Sequence, residues 1–327
     1  MEPLLQIQDL SVRFNTPEGP ARAVDRVSFD LASGETLGLV GESGCGKSVT
    51  ALSILGLIPD PPGKIEQGKI LFSGKDLVTL GQDQLRRIRG NEIAMIFQEP
   101  MTSLNPVLTI GRQVMEPLLT HKGLSRSKAE EEAVQWLERV KIPGAGSHLR
   151  SYPHQLSGGM RQRVMIAMAM AVRPRILLAD EPTTALDVTI QAQILSLMLE
   201  LKKESNSSLL LITHDMGVVA QMVSRVVVMY AGEVVEQART VDLFQNPSHP
   251  YTKGLLKSMP RLKRQKKREK IRLEEIPGTV PRLTEQIAGC KFFARCPCAF
   301  DRCLQKRPAL RNVREDHFAR CWLVEAS

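Results

Sequence analysis

The chain of 327 residues contains few aromatic side chains and no long apolar run. Aromatic residues make up only 4% of it, which argues against the base-stacking surfaces that bind single-stranded nucleic acid. The longest apolar run, 164–172, is far shorter than the roughly 18 residues that span a bilayer. The first ten residues also lack the basic start and continuous apolar stretch of a secretory signal. These absences predict a cytosolic protein that relies on separate chains for any membrane function.

Positive charge is concentrated in one segment. The formal net charge is +9, and residues 261–272 contain eight basic residues and one acidic residue. The rest of the chain is nearly balanced in charge, which is not typical of a nucleic-acid-binding domain, and we expect no nucleic acid partner. We interpret this basic tract as a solvated connector, with attraction to the anionic inner leaflet of a membrane as the alternative.

Hydrophobic patterning predicts an α/β protein. Short β-rich runs bounded by glycine and proline predict strands at 35–40, 69–72 and 93–97. Strand signals return at 176–179 and 209–213, and a helical pattern between them gives the strand, helix, strand order of a parallel sheet.

Two further segments complete the predicted organisation. Helical spacing inside a charged region predicts an inserted helical subdomain at about 100–170. A hairpin turning at Ala231 and Gly232 ends a first domain, 1–240. The remainder, 241–327, is a C-terminal extension that carries the basic tract and most of the cysteines.

A glycine-rich stretch at 41–48 has the spacing of a phosphate-binding loop. Its residues are Gly41, Glu42, Ser43, Gly44, Cys45, Gly46, Lys47 and Ser48, and they stand between an apolar strand and a helical pattern. The glycines let successive backbone N–H groups turn towards phosphate oxygens, and the helix adds its positive N-terminal end. Lys47 is predicted to reach the β- and γ-phosphates of a nucleotide, and the Ser48 hydroxyl to hold Mg²⁺.

Two acidic residues end the apolar strand at 176–179. Asp180 is predicted to contact Mg²⁺, and Glu181 to polarise the water that attacks the nucleotide. An acidic pair at a strand end is more often a solvated pair. The phosphate-binding loop in the same chain favours the catalytic interpretation.

The sequence Leu-Ser-Gly-Gly at 156–159 precedes an apolar helix and supplies a second anion site, because a hydroxyl, flexible backbone and a helix N-terminus coincide. With these three motifs the chain resembles an ABC-family ATPase. The resemblance implies a P-loop fold with a mixed sheet core, an antiparallel β subdomain and an inserted helical subdomain. It also implies that the turn formed by Ser157, Gly158 and Gly159 contacts ATP held by a second, homologous ATPase subunit.

The same resemblance assigns roles to four more residues. Gln98 is similar to the glutamine that senses Mg²⁺ and water, and His214 to the histidine that contacts the γ-phosphate. Asp187 lies in the loop that crosses the dimer interface, and Phe14 is the candidate for stacking on adenine, with nearby Phe29 as a core residue.

The C-terminal extension is similar to that of the ATP-binding subunits of dipeptide and oligopeptide permeases, on the segments 246–252, Gly278 and 289–321. This implies ATP-driven import with two integral membrane permease subunits, an extracytoplasmic peptide-binding protein and a sibling ATPase, at the cytoplasmic face of the inner membrane. Nickel or glutathione as cargo, and less favourably a DNA-associated ABC ATPase, are the alternatives.

Five of the six cysteines lie between residues 290 and 321, and in a reducing cytosol such clustering favours metal over disulfides. The spacing allows a 4Fe–4S cluster or structural Zn²⁺, and the family resemblance favours the cluster. The predicted ligands are Cys290, Cys296, Cys303 and Cys321, with Cys298 and His317 as possible substitutes.

The sixth cysteine, Cys45, precedes a helix and stands beside Lys47. Both features stabilise a thiolate, so the sequence predicts a reactive thiol that MgATP protects from alkylation, with an inert thiol as the alternative if the side chain is buried against the sheet.

Overall fold

The computed structural model describes residues 3–99, 103–184, 186–259 and 275–325, and the basic tract 261–272 lies outside them. The chain divides into two compact units. The first contains residues 1–4, 31–36 and 76–212, and the second contains 5–30, 37–75 and 213–327. No helix in the described part of the chain combines the length and apolar character needed to span a membrane.

The strands are numbered in chain order. They are β1 (Leu5–Thr16), β2 (Gly19–Leu31), β3 (Thr36–Val40), β4 (Gly63–Phe72), β5 (Lys75–Asp76), β6 (Ile93–Ile96), β7 (Ile176–Asp180), β8 (Ser208–Thr213), β9 (Arg225–Tyr230), β10 (Glu233–Arg239), β11 (Arg311–Arg314) and β12 (His317–Ala319).

The helices of the described residues are numbered in the same way. They are α1 (Lys47–Ile54), α2 (Gln82–Ile88), α3 (Ile110–Lys122), α4 (Arg126–Arg139), α5 (Ala145–His148), α6 (Gly158–Met170), α7 (Val188–Ser205), α8 (Met216–Met222), α9 (Thr240–Gln245), α10 (Pro250–Lys257) and α11 (Asp301–Gln305).

The first unit is built on three parallel strands. Strand β7 lies between β6 and β8, with Ile176 opposite both Ile93 and Ser208. All five residues of β7 and all six of β8 are buried, as expected for parallel strands covered on both faces. This burial fixes the position of the acidic residues at the end of β7.

Side-chain caps start the long helices of the first unit. Thr109, Ser125, Ser157 and Asp187 precede α3, α4, α6 and α7, and each accepts a hydrogen bond from a backbone N–H in the first turn. Such caps satisfy N–H groups that have no partner within the helix, and each stabilises its helix by about 1 kcal/mol.

The second unit contains two sheets. Strands β2, β1, β4 and β5 form one sheet in that order, and β1 runs antiparallel to β4. The other sheet is mixed, because β9 pairs with β3 in parallel but with β10 antiparallel. Beyond β10 it continues through β12 to β11, so strands from the C-terminal extension enlarge it.

Most strands predicted from the sequence are confirmed to within about one residue, but the run 69–72 is the end of the longer strand β4. Its first half carries Lys64 and Glu66 and is followed by Gly68, and these residues concealed its strand character. The predicted hairpin is confirmed: Ala231 and Gly232 both have positive φ and join β9 to β10. The domain boundary near residue 240 stays a prediction.

Candidate functional site

The phosphate-binding loop 41–48 connects β3 to α1 in the second unit. Its glycines are required by close backbone contacts. A Cβ atom on Gly41 would lie 2.2 Å from the carbonyl oxygen of Met229, and one on Gly46 would lie 2.3 Å from that of Ala23. Both distances are shorter than any van der Waals contact, so larger side chains would displace the loop. Ser43 and Gly44, at the tip of the loop, are exposed.

Lys47 is held in position for an anion. Its side chain is buried, and its ammonium group donates to the carbonyl oxygens of Gly41 and Glu42 at 2.8 and 2.9 Å. Helix α1 begins at this lysine after Gly46, which provides no side-chain cap. The helix therefore presents a positive end and a lysine together, and the half-buried Ser48 lies in its first turn.

The structure favours the inert alternative for Cys45. The side chain is fully buried, and burial raises the pKa of its thiol even though Lys47 acts in the opposite direction. The sequence shows the neighbouring cation but not the loss of solvation, which disfavours the thiolate more strongly. Cys45 is therefore a small packing residue beneath Gly41.

Glu42 connects the phosphate-binding loop to the C-terminal extension. Arg295 donates to its two carboxylate oxygens at 2.6 and 3.0 Å, in the two-pronged geometry of a strong ion pair. This hydrogen bonding raises the pKa of Arg295 above its ordinary value. The backbone N–H of Glu42 donates to the Tyr251 hydroxyl at 2.9 Å. Sequence reasoning missed Arg295 and Tyr251, because no motif relates residues so far apart in the chain.

Phe14 and Phe29 differ in exposure. Phe29 is buried, whereas Phe14 is half-buried near the end of β1. The Phe14 ring covers Gly63, where a Cβ atom would lie 2.6 Å from it. An exposed ring face is what stacking on a base requires, so the structure favours Phe14 over Phe29 as the candidate.

In the first unit, side chains from two segments of the chain meet at one carboxylate. Gln98 and Thr184 both donate to the same oxygen of Glu181, at 3.1 and 3.0 Å. Glu181 has a positive φ of 44°, a conformation that non-glycine residues adopt rarely, and its N–H donates to Ile212. Strain of this kind is common at functional sites. Asp180, just before it, is buried at the end of β7.

The serine turn, Ser157 to Gly159, is the exposed start of α6. The Ser157 hydroxyl accepts from the backbone N–H of Met160 at 3.3 Å, so it caps its own helix in this structure. Ser157 and Gly158 are exposed. An exposed helix start with flexible glycines can receive an anion from another molecule.

The last two predicted residues are exposed loop residues. Asp187 caps α7 by accepting from the N–H of Ile190 at 2.9 Å, which is a structural role. His214 follows β8 in the second unit and its side chain is exposed.

All five cysteines of the extension line one small cavity in the second unit. Cys303 is buried, Cys290, Cys296 and Cys321 are half-buried, and Cys298 is exposed. Burial raises the pKa of Cys290 to about 12 and that of Cys296 to about 11, and neighbouring thiols add to both shifts. Without a cation these thiols therefore stay protonated at neutral pH.

The cavity differs from the prediction in one of the two possible substitute ligands. His317 does not line it, because its Nε2 lies 2.7 Å from a carboxylate oxygen of Glu236. His249 lines the cavity instead, and burial lowers the pKa of its imidazole to about 4. Within the described ranges, no group of three or more histidine, cysteine or acidic side chains is arranged to hold a single metal ion.

A buried ion network holds this part of the extension in place. Lys291 and Arg307 both pair with Asp25 of β2 and Glu233 of β10, at 2.9 to 3.2 Å. Burial opposes ionisation of Asp25, but the two cations together keep its pKa below its ordinary value. The network lies entirely among residues of the second unit.

Known proteins share both parts of this sequence. The family model for ABC transporters matches residues 24–184, and the model for the oligopeptide/dipeptide transporter C-terminal region matches 235–303. A probable peptide ABC transporter ATP-binding protein of Sinorhizobium fredii is 52% identical, with 98% of this chain and 94% of that protein covered. The dipeptide transport ATP-binding protein DppD of Bacillus subtilis is also 52% identical, over 99% of this chain and 96% of its own.

Solved structures agree with the sequence relatives. The dimeric structure of the bacterial ABC transporter cassette MJ0796 superposes with a TM-score of 0.65 and 29% identity, covering 72% of this chain and 98% of that one. The same cassette in a dimeric post-hydrolysis state, bound to ADP and phosphate, gives the same values.

Proposed function

Because this chain belongs to the ATP-binding proteins of ABC transporters, we propose that it hydrolyses ATP to drive the import of dipeptides or oligopeptides. The observation that carries the cargo class is the C-terminal match at 235–303 to the oligopeptide/dipeptide transporter region. Relatives named for dipeptide and oligopeptide transport, at about half identity over nearly the whole chain, support it. Nickel and glutathione import, and a DNA-associated role, have no comparable support.

The nucleotide roles proposed for each residue follow its chemistry. The phosphate-binding loop and Lys47 bind the phosphates, and Phe14 stacks on the base. Ser48, Gln98 and Asp180 offer the hydroxyl, amide and carboxylate oxygens that Mg²⁺ prefers. Glu181 orients and deprotonates the attacking water, and its bonds from Gln98 and Thr184 hold the carboxylate in place. His214 contacts the γ-phosphate.

A second ATPase subunit completes the proposed cycle. The serine turn and Asp187 belong to surfaces that act on the partner, so ATP closes two subunits head to tail and hydrolysis releases them. The exposure of Ser157, Gly158 and Asp187 supports this role, because residues that meet another chain must be accessible. We favour a homologous sibling as the partner.

Membrane permease subunits are proposed to dock on the helical subdomain, about 100–170. A groove in this part of the first unit is lined by one acidic side chain, Glu130, and by a larger set of cationic and apolar side chains, which are Arg112, Arg126, Arg150, Met115, Leu119 and Leu149. Such a groove fits a short amphipathic helix with acidic residues beside an apolar face. Docking there, with an extracytoplasmic peptide-binding protein on the other side, places this chain at the cytoplasmic face of the inner membrane.

The Cys-rich extension is proposed to bind a 4Fe–4S cluster through Cys290, Cys296, Cys303 and Cys321, with Zn²⁺ as the alternative. Five cysteines line one cavity, which is one more than the four ligands of such a cluster. Because Cys298 is exposed, it is the cysteine that we exclude from the ligand set. Each of these four cysteines would supply one thiolate ligand to the cluster. A cationic group would also lower the raised thiol pKa values.

Metal content tests this proposal. Anaerobically purified protein should be brown and contain iron. Zinc in stoichiometric amount would establish the alternative, and colourless, metal-free protein with an intact fold would contradict both.

Reconstitution tests the proposed function. The chain is assembled in proteoliposomes with its permease subunits, sibling ATPase and binding protein, and ATP hydrolysis is measured with and without a mixture of short peptides. We expect peptides to stimulate hydrolysis and to accumulate inside. Stimulation by nickel or glutathione but not by peptides would contradict the cargo class, and no ATP hydrolysis under any condition would contradict the enzyme.

A further inference from the structure

The C-terminal extension contacts the proposed nucleotide site directly, through the ion pair between Arg295 and Glu42. We infer that Arg295 is a positioning residue that couples the cysteine cavity to the phosphate-binding loop through Glu42. The inference rests on the proposed nucleotide site and adds a regulatory connection to it. Every residue involved lies in the second unit.

The first step is that Glu42 has no freedom in this structure. Its N–H donates to the Tyr251 hydroxyl, its carbonyl oxygen accepts from the Lys47 ammonium, and its carboxylate accepts two bonds from Arg295. Lys47, which would bind phosphate, is thus hydrogen-bonded directly to Glu42, which the extension holds through Arg295. A shift of Glu42 would disturb one of the two carbonyl contacts that position the Lys47 ammonium.

The second step is that Arg295 is itself fixed to the extension. Its guanidinium group also donates to the carbonyl oxygens of Pro277 at 2.9 Å and Ile276 at 3.3 Å, and its side chain is only 5% exposed. A buried guanidinium with its donors satisfied from both sides transmits displacement, because breaking one contact leaves a buried charge partly unpaired. Lysine could not replace it, since it lacks the planar two-pronged geometry.

The third step connects Arg295 to the cysteines. Arg295 is the last residue of the short 3₁₀ turn Phe293–Arg295, and backbone hydrogen bonds join this turn to a cysteine on each side. The N–H of Phe293 donates to Cys290, and that of Cys296 donates to Phe293. Cys290, Cys296 and Phe293 line the cavity, so a change in its contents moves the turn that carries Arg295.

An aromatic cluster makes the connection stiff. Tyr230, Tyr251 and Phe292 pack with ring centroids 4.7 to 5.5 Å apart, and Tyr251 also holds the N–H of Glu42. Phe292 immediately precedes the turn Phe293–Arg295, and Tyr230 is the last residue of β9. The turn Phe293–Arg295, the three aromatic rings and the phosphate-binding loop therefore form one packed cluster. Contiguous networks of this kind carry coupling between sites.

Substitution of Arg295 tests the inference against a matched control. Arg307→Gln removes another half-buried arginine of the extension that pairs with carboxylates but contacts neither Glu42 nor the loop. Nucleotide affinity is measured with a fluorescent ATP analogue, and KM and kcat in the assembled transporter. We expect Arg295→Gln to raise Kd and KM by about fivefold or more with little change in kcat, and Arg307→Gln to leave both unchanged.

Two further variants separate positioning from general damage. Glu42→Gln combined with Arg295→Gln should be no worse than Arg295→Gln alone, because the two residues act as one unit. Arg295→Lys should fall between wild type and Arg295→Gln. Equal losses of nucleotide affinity in the Arg295 and Arg307 variants would show that Arg295 only holds the extension in place, which would contradict the inference. An unchanged Kd in Arg295→Gln would overturn it as well.

Hydrogen exchange supplies a readout that a purely structural role would not change. Coupling is reciprocal, so MgATP should slow amide exchange at 290–296 in wild type and in Arg307→Gln, but not in Arg295→Gln. Absence of this effect in wild-type protein that binds ATP would contradict the coupling alone. Wild-type protein that binds no nucleotide would contradict the proposed function instead.

Discussion

The phosphate-binding loop and the serine turn are both glycine-containing starts of helices, yet the protein builds them in opposite ways. Helix α1 begins without a side-chain cap and with a buried lysine bound to loop carbonyls. Helix α6 begins with Ser157 capping its own first turn and facing solvent. The phosphate-binding loop has its own cation and glycines packed closely against backbone, whereas a Cβ atom on Gly158 in the serine turn would meet the Leu186 side chain at an ordinary contact distance of 3.8 Å.

This difference assigns the two turns different functions: the first binds phosphate within its own chain, and the second contacts phosphate that another molecule brings. A loop with its own lysine can bind phosphate in the isolated chain, whereas an exposed, self-capped turn contributes when another molecule brings phosphate to it. The comparison therefore predicts that substitutions in the two turns affect different measurements. It also predicts that catalysis depends on Glu181, which belongs to neither turn.

The largest effect is expected at Glu181. Glu181→Gln retains an oxygen that can accept from Gln98 and Thr184 but removes the general base, so hydrolysis by the assembled transporter should fall by about 10²- to 10⁴-fold. Nucleotide affinity should remain, and the exposed Glu204→Gln should behave as wild type. Undiminished hydrolysis would remove Glu181 from the catalytic role.

The next effect concerns the phosphate-binding loop alone. Lys47→Ala removes a charged donor aimed at phosphate and should weaken nucleotide binding by the isolated chain by about 10- to 100-fold. Titration with a fluorescent nucleotide measures it, with the exposed Lys203→Ala as the control. Wild-type affinity in the Lys47 variant would mean that the loop is not the binding site.

The serine turn should give the opposite pattern. Ser157→Ala should leave binding by the isolated chain unchanged but lower hydrolysis in the assembled transporter by about tenfold, the loss of one charge-assisted hydrogen bond. Ser125→Ala is the matched control, because Ser125 also caps a helix of the first unit. Equal effects of the two variants on hydrolysis would show that only helix capping is lost.

The last effect concerns stability rather than activity and lies in the C-terminal extension. His249 has its pKa lowered by burial to about 4, from an ordinary value of 6.5, so between these pH values the unfolded chain binds a proton that the folded chain does not. Stability is therefore complete above about pH 6.5 and decreases on acidification, by about 2 kcal/mol at pH 5.

A variant isolates this contribution. His249→Asn keeps a side-chain acceptor for the N–H of Tyr251 but cannot titrate, so its Tm should fall less between pH 7 and pH 5 than that of wild type. The difference should be a few degrees by calorimetry. Parallel pH curves for the two proteins would show that His249 does not carry the acid sensitivity.

Local chemistry was readable from the sequence, and distant contacts were not. The phosphate-binding loop is eight consecutive residues whose spacing states its chemistry. Gln98 and Glu181 lie 83 residues apart. Glu181 was predicted from its position at a strand end and Gln98 through the family resemblance, but their hydrogen bond appears only in the structure. Glu42 and Arg295, separated by 253 residues, were not related by any pattern.

Burial explains the remaining differences. Cys45 has the neighbours of a reactive thiolate, but a sequence does not show that its side chain is excluded from water. The same limitation applies to His317, which pairs with a buried carboxylate rather than lining the cysteine cavity. Solvation decides the chemistry of both side chains, and it depends on packing across the whole fold.

One structure tests the central claim most directly: the assembled transporter carrying Glu181→Gln, closed with MgATP. We predict a nucleotide on the phosphate-binding loop of this chain, and the Ser157 hydroxyl of this chain on the γ-phosphate of the nucleotide bound by the second ATPase subunit. A closed assembly in which this serine turn lies far from every triphosphate would contradict the account.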